Sequence, residues 1–477
     1  MADNIKADIC IIGAGSGGLS VAAGASQLGA SVVLIEKDKM GGDCLNYGCV
    51  PSKAMLAAGH AAEGVRQAGR FGARAAEPNV DSAGVYGHID AVIAAIEPND
   101  SVERFEGMGV KVIKGEARFT GPAEVSVGET MISARRFVIA TGSEAFLPPI
   151  PGLKDVDFFT NETIFSATTL PAHLIIVGGG PISIELAQAH RHLGCRVTVL
   201  EMFTVMPKDD PELVDVVRRQ LEADGVTIIE HANIKGIEKT KNGIDVKWTT
   251  GDGGGPDEIL SGSHILVAAG RRPTVHGLGL DEAGIRYSDM GIGVDARLRT
   301  SNKKIFAIGD VAGGLQFTHV AGYHAGVVIK NALFRWPAKV DTGSVPWVTF
   351  TAPELAQVGL TEAQAKDAHG DIRVLRWPYH ENDRAQAEKE TDGMIKAVVT
   401  AKGKILGCGI AGAHAGELIQ TWVLAKSKNL KIGDMAQMIT PYPTFGEVSK
   451  RAAGSFYTAS LFSERTRKIV RFLSRFG

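Results

Sequence analysis

Apolar residues in this chain come in short blocks of strand length, cut by glycine-rich turns. Ile9 to Ile12 runs into Gly13-Ala-Gly15-Ser-Gly17-Gly18, an alanine-rich stretch follows, and Ser31 to Ile35 forms a second apolar run ending at Glu36. The pattern predicts strand, turn, helix and strand in one βαβ unit. It recurs in HLIIVGGGPISIELAQAHRHLGCRVTVLEM, with Gly178, Gly180 and Ser183 in the turn and Glu201 closing the second strand. Three further strand signals, FVIATGSEAFLPPIPG, HILVAAGRRPT and KKIFAIGDVAG, end in small residues at Thr141-Gly142, Ala269-Gly270 and Gly309-Asp310.

Strand, glycine turn and helix in that order form a phosphate cradle. Glycines let the backbone approach a pyrophosphate at the helix N-terminus, and an acid ending the second strand can hold a ribose diol. Gly13, Gly15, Gly18 and Glu36 fill these places in the first unit; in the second, Ser183 stands where the third glycine usually sits, which predicts slightly wider helix–strand packing. Two such units imply two dinucleotides. A carboxylate at Glu201 accepts from a ribose hydroxyl but repels a 2′-phosphate, so NADH is expected over NADPH. Asp310 puts a carboxylate at the carboxyl end of a strand, where ligands gather in open α/β sheets.

The chain has 477 residues, 44% of them hydrophobic, enough for roughly three domains of about 150 residues. Its formal net charge of −2 gives no global field for nucleic acid. Residues 1 to 8 have no charged-then-apolar leader and no apolar run is long enough to span a bilayer, so the expected compartment is the reducing cytoplasm. Five cysteines in so long a chain do not make a disulfide framework. Two of them, Cys44 and Cys49, lie five residues apart in GGDCLNYGCVPSKAM, a spacing that fits a staple, a metal clip or a reaction centre. Cys10, Cys195 and Cys408 lie in apolar or strand contexts and read as buried, inert thiols.

From about residue 6 to 458 the chain resembles the flavin-dependent pyridine nucleotide–disulfide oxidoreductases. The ordered motifs are GxGxxG with Glu36, GGDCLNYGCVPSK, ATGS, GGGPISIELA with Glu201, AAGRRPT and IGD. The resemblance implies an α/β fold with two Rossmann-like dinucleotide-binding domains, for FAD and NAD, plus an α+β C-terminal dimerisation domain, working as a homodimer. The implied division is 1–152 for the first part of the FAD domain, 153–273 for the NAD(P) domain, 274–343 for the rest of the FAD domain, 344–458 for dimerisation and 459–477 for a tail. FAD contacts are implied at Glu36, Lys53, Gly115, Thr141, Gly142, Ser143, Asp310, Gln316, Phe317, Thr318 and His319. Nicotinamide-nucleotide contacts are implied from Gly178 to Glu185 and at Glu201 and Gly270.

The same resemblance makes Cys44–Cys49 a redox-active disulfide at the start of a helix, whose N-terminus stabilises the thiolate formed on reduction. Cys49 is then the sulfur against the flavin ring and Cys44 the exposed, attacking thiol. Lys53 lies one helical turn beyond Cys49 on the same face, and the resemblance pairs it with Glu185. Electrons would pass from NADH through FAD to Cys44–Cys49 and out to an acceptor, a disulfide or a metal ion, the family including dihydrolipoamide dehydrogenase, glutathione reductase and mercuric reductase. A rival class is a redox-sensing binding protein with little turnover.

The family's dimerisation domain normally ends in His-Pro-Thr-x-x-Glu, and here the stretch reads TPYPTFGEVSK. Tyr442 occupies the histidine position and Glu447 the glutamate position. A phenol of reference pKa about 10 does not take a thiol proton readily near pH 7, so slow lipoamide turnover is expected. Tyrosine there resembles mercuric reductase, yet the chain ends SERTRKIVRFLSRFG without that enzyme's cysteine pair, and its N-terminal metal-capturing domain is not seen. His380 and His414 are candidate substitute bases. No metal centre is expected. From Leu461 to Phe476 apolar residues alternate at helical spacing with Arg465, Arg467, Lys468, Arg471 and Arg475, a basic amphipathic helix suited to packing on its own domain, a membrane surface or another protein.

Overall fold

The computed structural model describes residues 4–251 and 255–476. The chain divides into two compact units, Met1–Met202 with Ile229–Asp341, and Phe203–Ile228 with Thr342–Gly477.

In the first unit the apolar runs become buried parallel strands. β1 (Asn4–Ile12) pairs with β2 (Val32–Glu36) on one side and with Thr130–Ile139 on the other, and Val110–Lys114 continues beyond β2. Hairpin strands Glu124–Val127 and Arg118–Gly121 extend the far side, and Ile305–Ala307 also pairs in parallel with Thr130–Ile139, making seven strands. Every residue of β2 is buried, as expected for a parallel strand covered on both faces. A second parallel set places His173–Val177 between Arg196–Leu200 and His264–Val267. An antiparallel meander, Ala232–Thr240, Gly243–Thr250 and Glu258–Gly262, lies after it in sequence.

The second unit is built on a five-stranded antiparallel sheet in the order Pro346–Thr349, Glu354–Gly359, Ile405–Gly412, Met394–Thr400, Ile372–Pro378. Its core packs Tyr379, Trp422 and Ile410 with Val448 and Ala452 of the helix Glu447–Leu461. Phe203–Ile228, inside the stretch 153–273 given to the middle domain from sequence, groups with this unit through a charged cluster. Lys396, 5% exposed on a central strand, sends Nζ to Asp210, Glu212 and Glu362, each at 2.8 Å. Arg376 clasps Glu212 with three bonds of 2.9–3.0 Å and reaches Glu362 at 2.7 Å. Asp210 in turn caps the helix Pro211–Asp224 by accepting from the Glu212 N–H at 3.1 Å.

Lys396→Met strands the buried Asp210 carboxylate, and removing one member of a buried ion cluster costs about 3 kcal/mol. A lower urea midpoint is the expected result. The Arg376 hydrogen bond first, and Lys396 with it, hold Glu212 below its ordinary value of 4.5, and Lys396 does the same chiefly for Glu362. Depressed carboxylates stabilise the fold above their unfolded pKa and lose that contribution as pH falls through the folded value. The gap between wild type and Lys396→Met therefore narrows below about pH 4.5.

Candidate active site

Both glycine turns fold alike. Gly13 has φ +101°, and a Cβ there would lie 2.4 Å from the Ala140 carbonyl oxygen; Gly178 has φ +111°, and a Cβ would lie 2.5 Å from that of Ala268. At each point the chain crosses a neighbouring strand end too closely for any other residue. Gly15 and Gly180 then sit at the N-termini of helix α1 (Ser16–Gln27) and the helix Pro181–His192, with no protein atom closer than 3.9 Å to a Cβ at Gly15 and none within 4 Å at Gly180. That free space beside unpaired helix N–H groups fits a pyrophosphate. Ser183 is wholly buried, and its hydroxyl donates to the Ala268 carbonyl at 3.2 Å.

Glu36 is buried at the end of β2. Its carboxylate accepts from the Ala14 N–H at 2.6 Å and the Asp38 N–H at 2.8 Å, which fixes it beside the glycine turn with acceptor capacity left for a ribose. Gly115 docks on the Glu36 carbonyl at 2.9 Å. Thr141 Oγ1 donates to the Thr274 carbonyl at 2.8 Å, the Gly142 carbonyl accepts from the Thr274 N–H at 3.0 Å, and Ser143 Oγ donates to Asp310 at 2.6 Å. Burial raises the Asp310 pKa, opposed by the Ser143 hydrogen bond. Gly270 has open space at its Cβ position and its carbonyl accepts from the Phe146 N–H at 3.0 Å. Glu201 follows the strand Arg196–Leu200 and is half-buried, its backbone bonded to Ile229 and Ala232.

Cys44 lies in the short helix α2 (Gly42–Asn46), and Cys49 is the first residue of helix α3 (Cys49–Gln67). Both are thiols here. The Cys44 hydrogen bond is the main reason that the Cys49 thiol is pulled down to about 6; Thr318, whose Oγ1 is 3.5 Å from Cys49 Sγ, and the Lys53 charge add to it, while burial of the sulfur and the Asp43 carboxylate oppose. Cys44 is pushed far up by the same hydrogen bond and by burial. The shared hydrogen bond thus makes Cys49 the easier of the two sulfurs to ionise. Cys44 sits beside Ser16 and Thr318, and Cys49 stands at the N-terminus of α3.

Lys53 and Glu185, 132 positions apart, meet at 2.7 Å, with Glu185 5% exposed. Thr318 heads the helix Thr318–Ala332, preceded by Gln316 and Phe317, and the Phe317 and His319 rings stack at 5.3 Å. A network not foreseen from sequence closes the site: Arg271 donates to Ser143 Oγ at 2.8 Å and to the Ser143 carbonyl at 2.7 Å, and pairs with Asp43 at 3.2 Å. Asn161 donates to Asp43 at 3.1 Å and to the Tyr47 carbonyl at 3.3 Å. Asp43 in GGDC and Arg271 in AAGRRPT are visible in sequence, but nothing local says that they meet.

Residues 7–325 match the family model described as Pyridine nucleotide-disulphide oxidoreductase, and residues 345–453 match that family's dimerisation domain. The chain belongs to the pyridine nucleotide-disulphide oxidoreductases. Its family binds FAD and a pyridine nucleotide and carries a redox-active disulfide, and the dimerisation domain fits a homodimer. The oxidoreductase is 34% identical over 456 residues to the mercuric reductase of Bacillus cereus, covering 95% of this chain and 72% of that one. It is 35% identical over 462 residues to the dihydrolipoyl dehydrogenase of Geobacillus stearothermophilus, covering 94% and 96%. Among solved structures, the Cu(II) complex of the HOCl-induced flavoprotein disulfide reductase RclA from Escherichia coli superposes with a TM-score of 0.84 at 27% identity, covering 94% and 99%.

In the oxidoreductase's second unit, Tyr442 is exposed and its hydroxyl donates to Asp383 at 3.0 Å, a partner the sequence did not suggest. That bond, with the Asp383 charge, raises the phenol further from neutrality. Glu447 opens the helix Glu447–Leu461. His380 and His414 are exposed, and the His414 ring lies against Phe445 at 5.1 Å. Cys10, Cys195 and Cys408 are buried, and burial raises the Cys195 thiol to about 12.

In the reduced protein, the thiolate ultraviolet absorbance lost in Cys49→Ser should titrate near pH 6, the anion gaining as pH rises. Asp43→Asn removes an opposing negative charge and moves that midpoint down; Cys44→Ser removes the chief hydrogen bond and moves it up. A midpoint near the ordinary thiol value of about 8.5 in the wild type contradicts the geometry.

Proposed function

We infer that this oxidoreductase takes electrons from NADH and delivers them to Cys44–Cys49, which passes them to an acceptor outside the chain. The observation that carries this is the Lys53–Glu185 pair at 2.7 Å, one turn from the low-pKa Cys49 at a helix N-terminus. FAD, when bound, would relay the electron pair from the nicotinamide to the disulfide. Glycines 13, 15 and 18, Glu36, Gly115, Thr141 to Ser143, Asp310 and Gln316 to His319 would hold it; Gly178 to Glu185, Glu201 and Gly270 would hold the nicotinamide nucleotide. The net step converts NADH, a proton and the disulfide into NAD⁺ and the dithiol.

Each side chain has a stated part. Lys53 supports negative charge near Cys49, and Glu185 fixes the Lys53 ammonium in place. Cys44 keeps the proton of the reduced pair and, once it loses that proton, attacks the acceptor. Tyr442 and Glu447, in the homodimer, would serve the partner subunit's Cys44 side, Tyr442 as a hydrogen-bond donor. Glu201 at the ribose favours NADH over NADPH. The protein would work in the cytoplasm or at the membrane surface facing it.

A metal ion is the second acceptor class, favoured by tyrosine in the histidine position. Steady-state NADH oxidation with lipoamide, other disulfides, quinones and metal ions separates the readings. Anaerobic NADH should make Cys44 and Cys49 of the oxidised enzyme reactive to a thiol reagent; the redox assignment fails if no thiol appears, and a sensor role is favoured if thiols appear but no acceptor sustains turnover. Replacing Glu201 with Ala should cut the kcat/KM preference for NADH by about tenfold, the scale of one charged contact. Tyr442→His should raise dihydrolipoamide oxidation above the wild type, because an imidazole takes a thiol proton near pH 7 and the phenol does not.

A further inference from the structure

The helix Glu464–Leu473 buries no residue, so the packing on its own domain open in the sequence is not what forms. A turn at Phe462 separates it from the preceding helix, and Ser463 caps it by accepting from the Thr466 N–H at 3.2 Å. Ile469, Phe472, Leu473 and Phe476 recur at three- and four-residue spacing along one stripe, from 48% exposed at Ile469 to 75% at Phe476. Arg467, Lys468, Arg471 and Arg475 occupy the other side, and Phe472 and Phe476 rings meet edge-on at 5.3 Å. A shallow groove of about 420 Å³ lies between Arg465, Lys468, Ile469 and Phe472, mixing cationic heads with apolar walls.

We propose that this helix docks the oxidoreductase on an anionic phospholipid surface, its apolar stripe in the acyl boundary and its cations on the headgroup phosphates. Charge complementarity points to anionic lipid: residues 464–476 carry net +4, five cations against Glu464, beside a continuous apolar stripe. The match to the dimerisation domain also ends at residue 453, before the helix begins. Arg465, whose position falls among the apolar residues, has a stem long enough to snorkel to the headgroups. A helix of this length lies in the interface rather than crossing it, and among the described residues no helix is long and apolar enough to cross.

The test is cosedimentation of the full-length FAD-loaded protein with vesicles of phosphatidylcholine alone or mixed with phosphatidylglycerol. Binding is expected on the anionic vesicles at low salt, weakened by added salt and slight on neutral ones. F472S/F476S and R467E/R471E should each weaken partitioning by at least about tenfold, with FAD content and NADH oxidation unchanged. Absence of binding at low salt, or undiminished binding by both variants, overturns the proposal. So does conversion of the dimer to a monomer by F472S/F476S in gel filtration, which would make a second copy the occupant.

Discussion

A buried carboxylate needs a cation, and in this protein Glu185 finds it in Lys53. Glu185 projects from the helix that begins at the second glycine turn, and Lys53 from the helix that begins at Cys49. The two helices pack closely where Gly59 faces the backbone of Ala189, a Cβ at Gly59 lying 3.1 Å from its carbonyl oxygen. Desolvation makes an unpaired Glu185 costly, so the pair holds the redox helix in register with the nucleotide-binding helix. That contact, with the close approach at Gly59 and the Arg66 bond to the His192 carbonyl at 2.7 Å, fixes helix α3 against the helix Pro181–His192.

Around it, charge is arranged in alternation. Asp43 stands next to Cys44 and opposes ionisation of Cys49, while Lys53 favours it. Arg271 ties Asp43 to Ser143, and Ser143 donates to Asp310. The redox loop, the ATGS turn and the IGD strand end are thereby joined by one guanidinium, whose planar fork satisfies two groups on Ser143 and a carboxylate at once. A lysine there would keep the charge and lose the fork.

The sequence was most readable where function depends on spacing along the chain. Apolar runs bounded by Gly13 and Gly178 became buried parallel strands with the expected turns, because a period-two backbone and a tight glycine turn are local properties. Cys49 at a helix start and Lys53 one turn on were readable for the same reason. The Arg271 network was not, since Arg271, Asp43 and Asn161 lie more than a hundred residues apart and nothing local says that they meet. The grouping of Phe203–Ile228 with the C-terminal sheet was hidden likewise, because the contacts behind it, Lys396 with acids at 210, 212 and 362 among them, join residues far apart in sequence. The Tyr442 hydroxyl reaches Asp383, which lies 59 positions upstream on another element, a contact no local pattern encodes.

The two sulfurs are made chemically unequal by their surroundings rather than by their own chemistry. A thiol that donates to its neighbour is harder to ionise, and the neighbour that accepts is easier, so one hydrogen bond drives the two pKa values apart. The helix N-terminus and Lys53 then bias the negative charge to Cys49. Tyr442, hydrogen-bonded to Asp383 and with its phenol raised, is by contrast a donor and not a base near neutral pH, so tyrosine in the histidine position exchanges proton removal for proton donation.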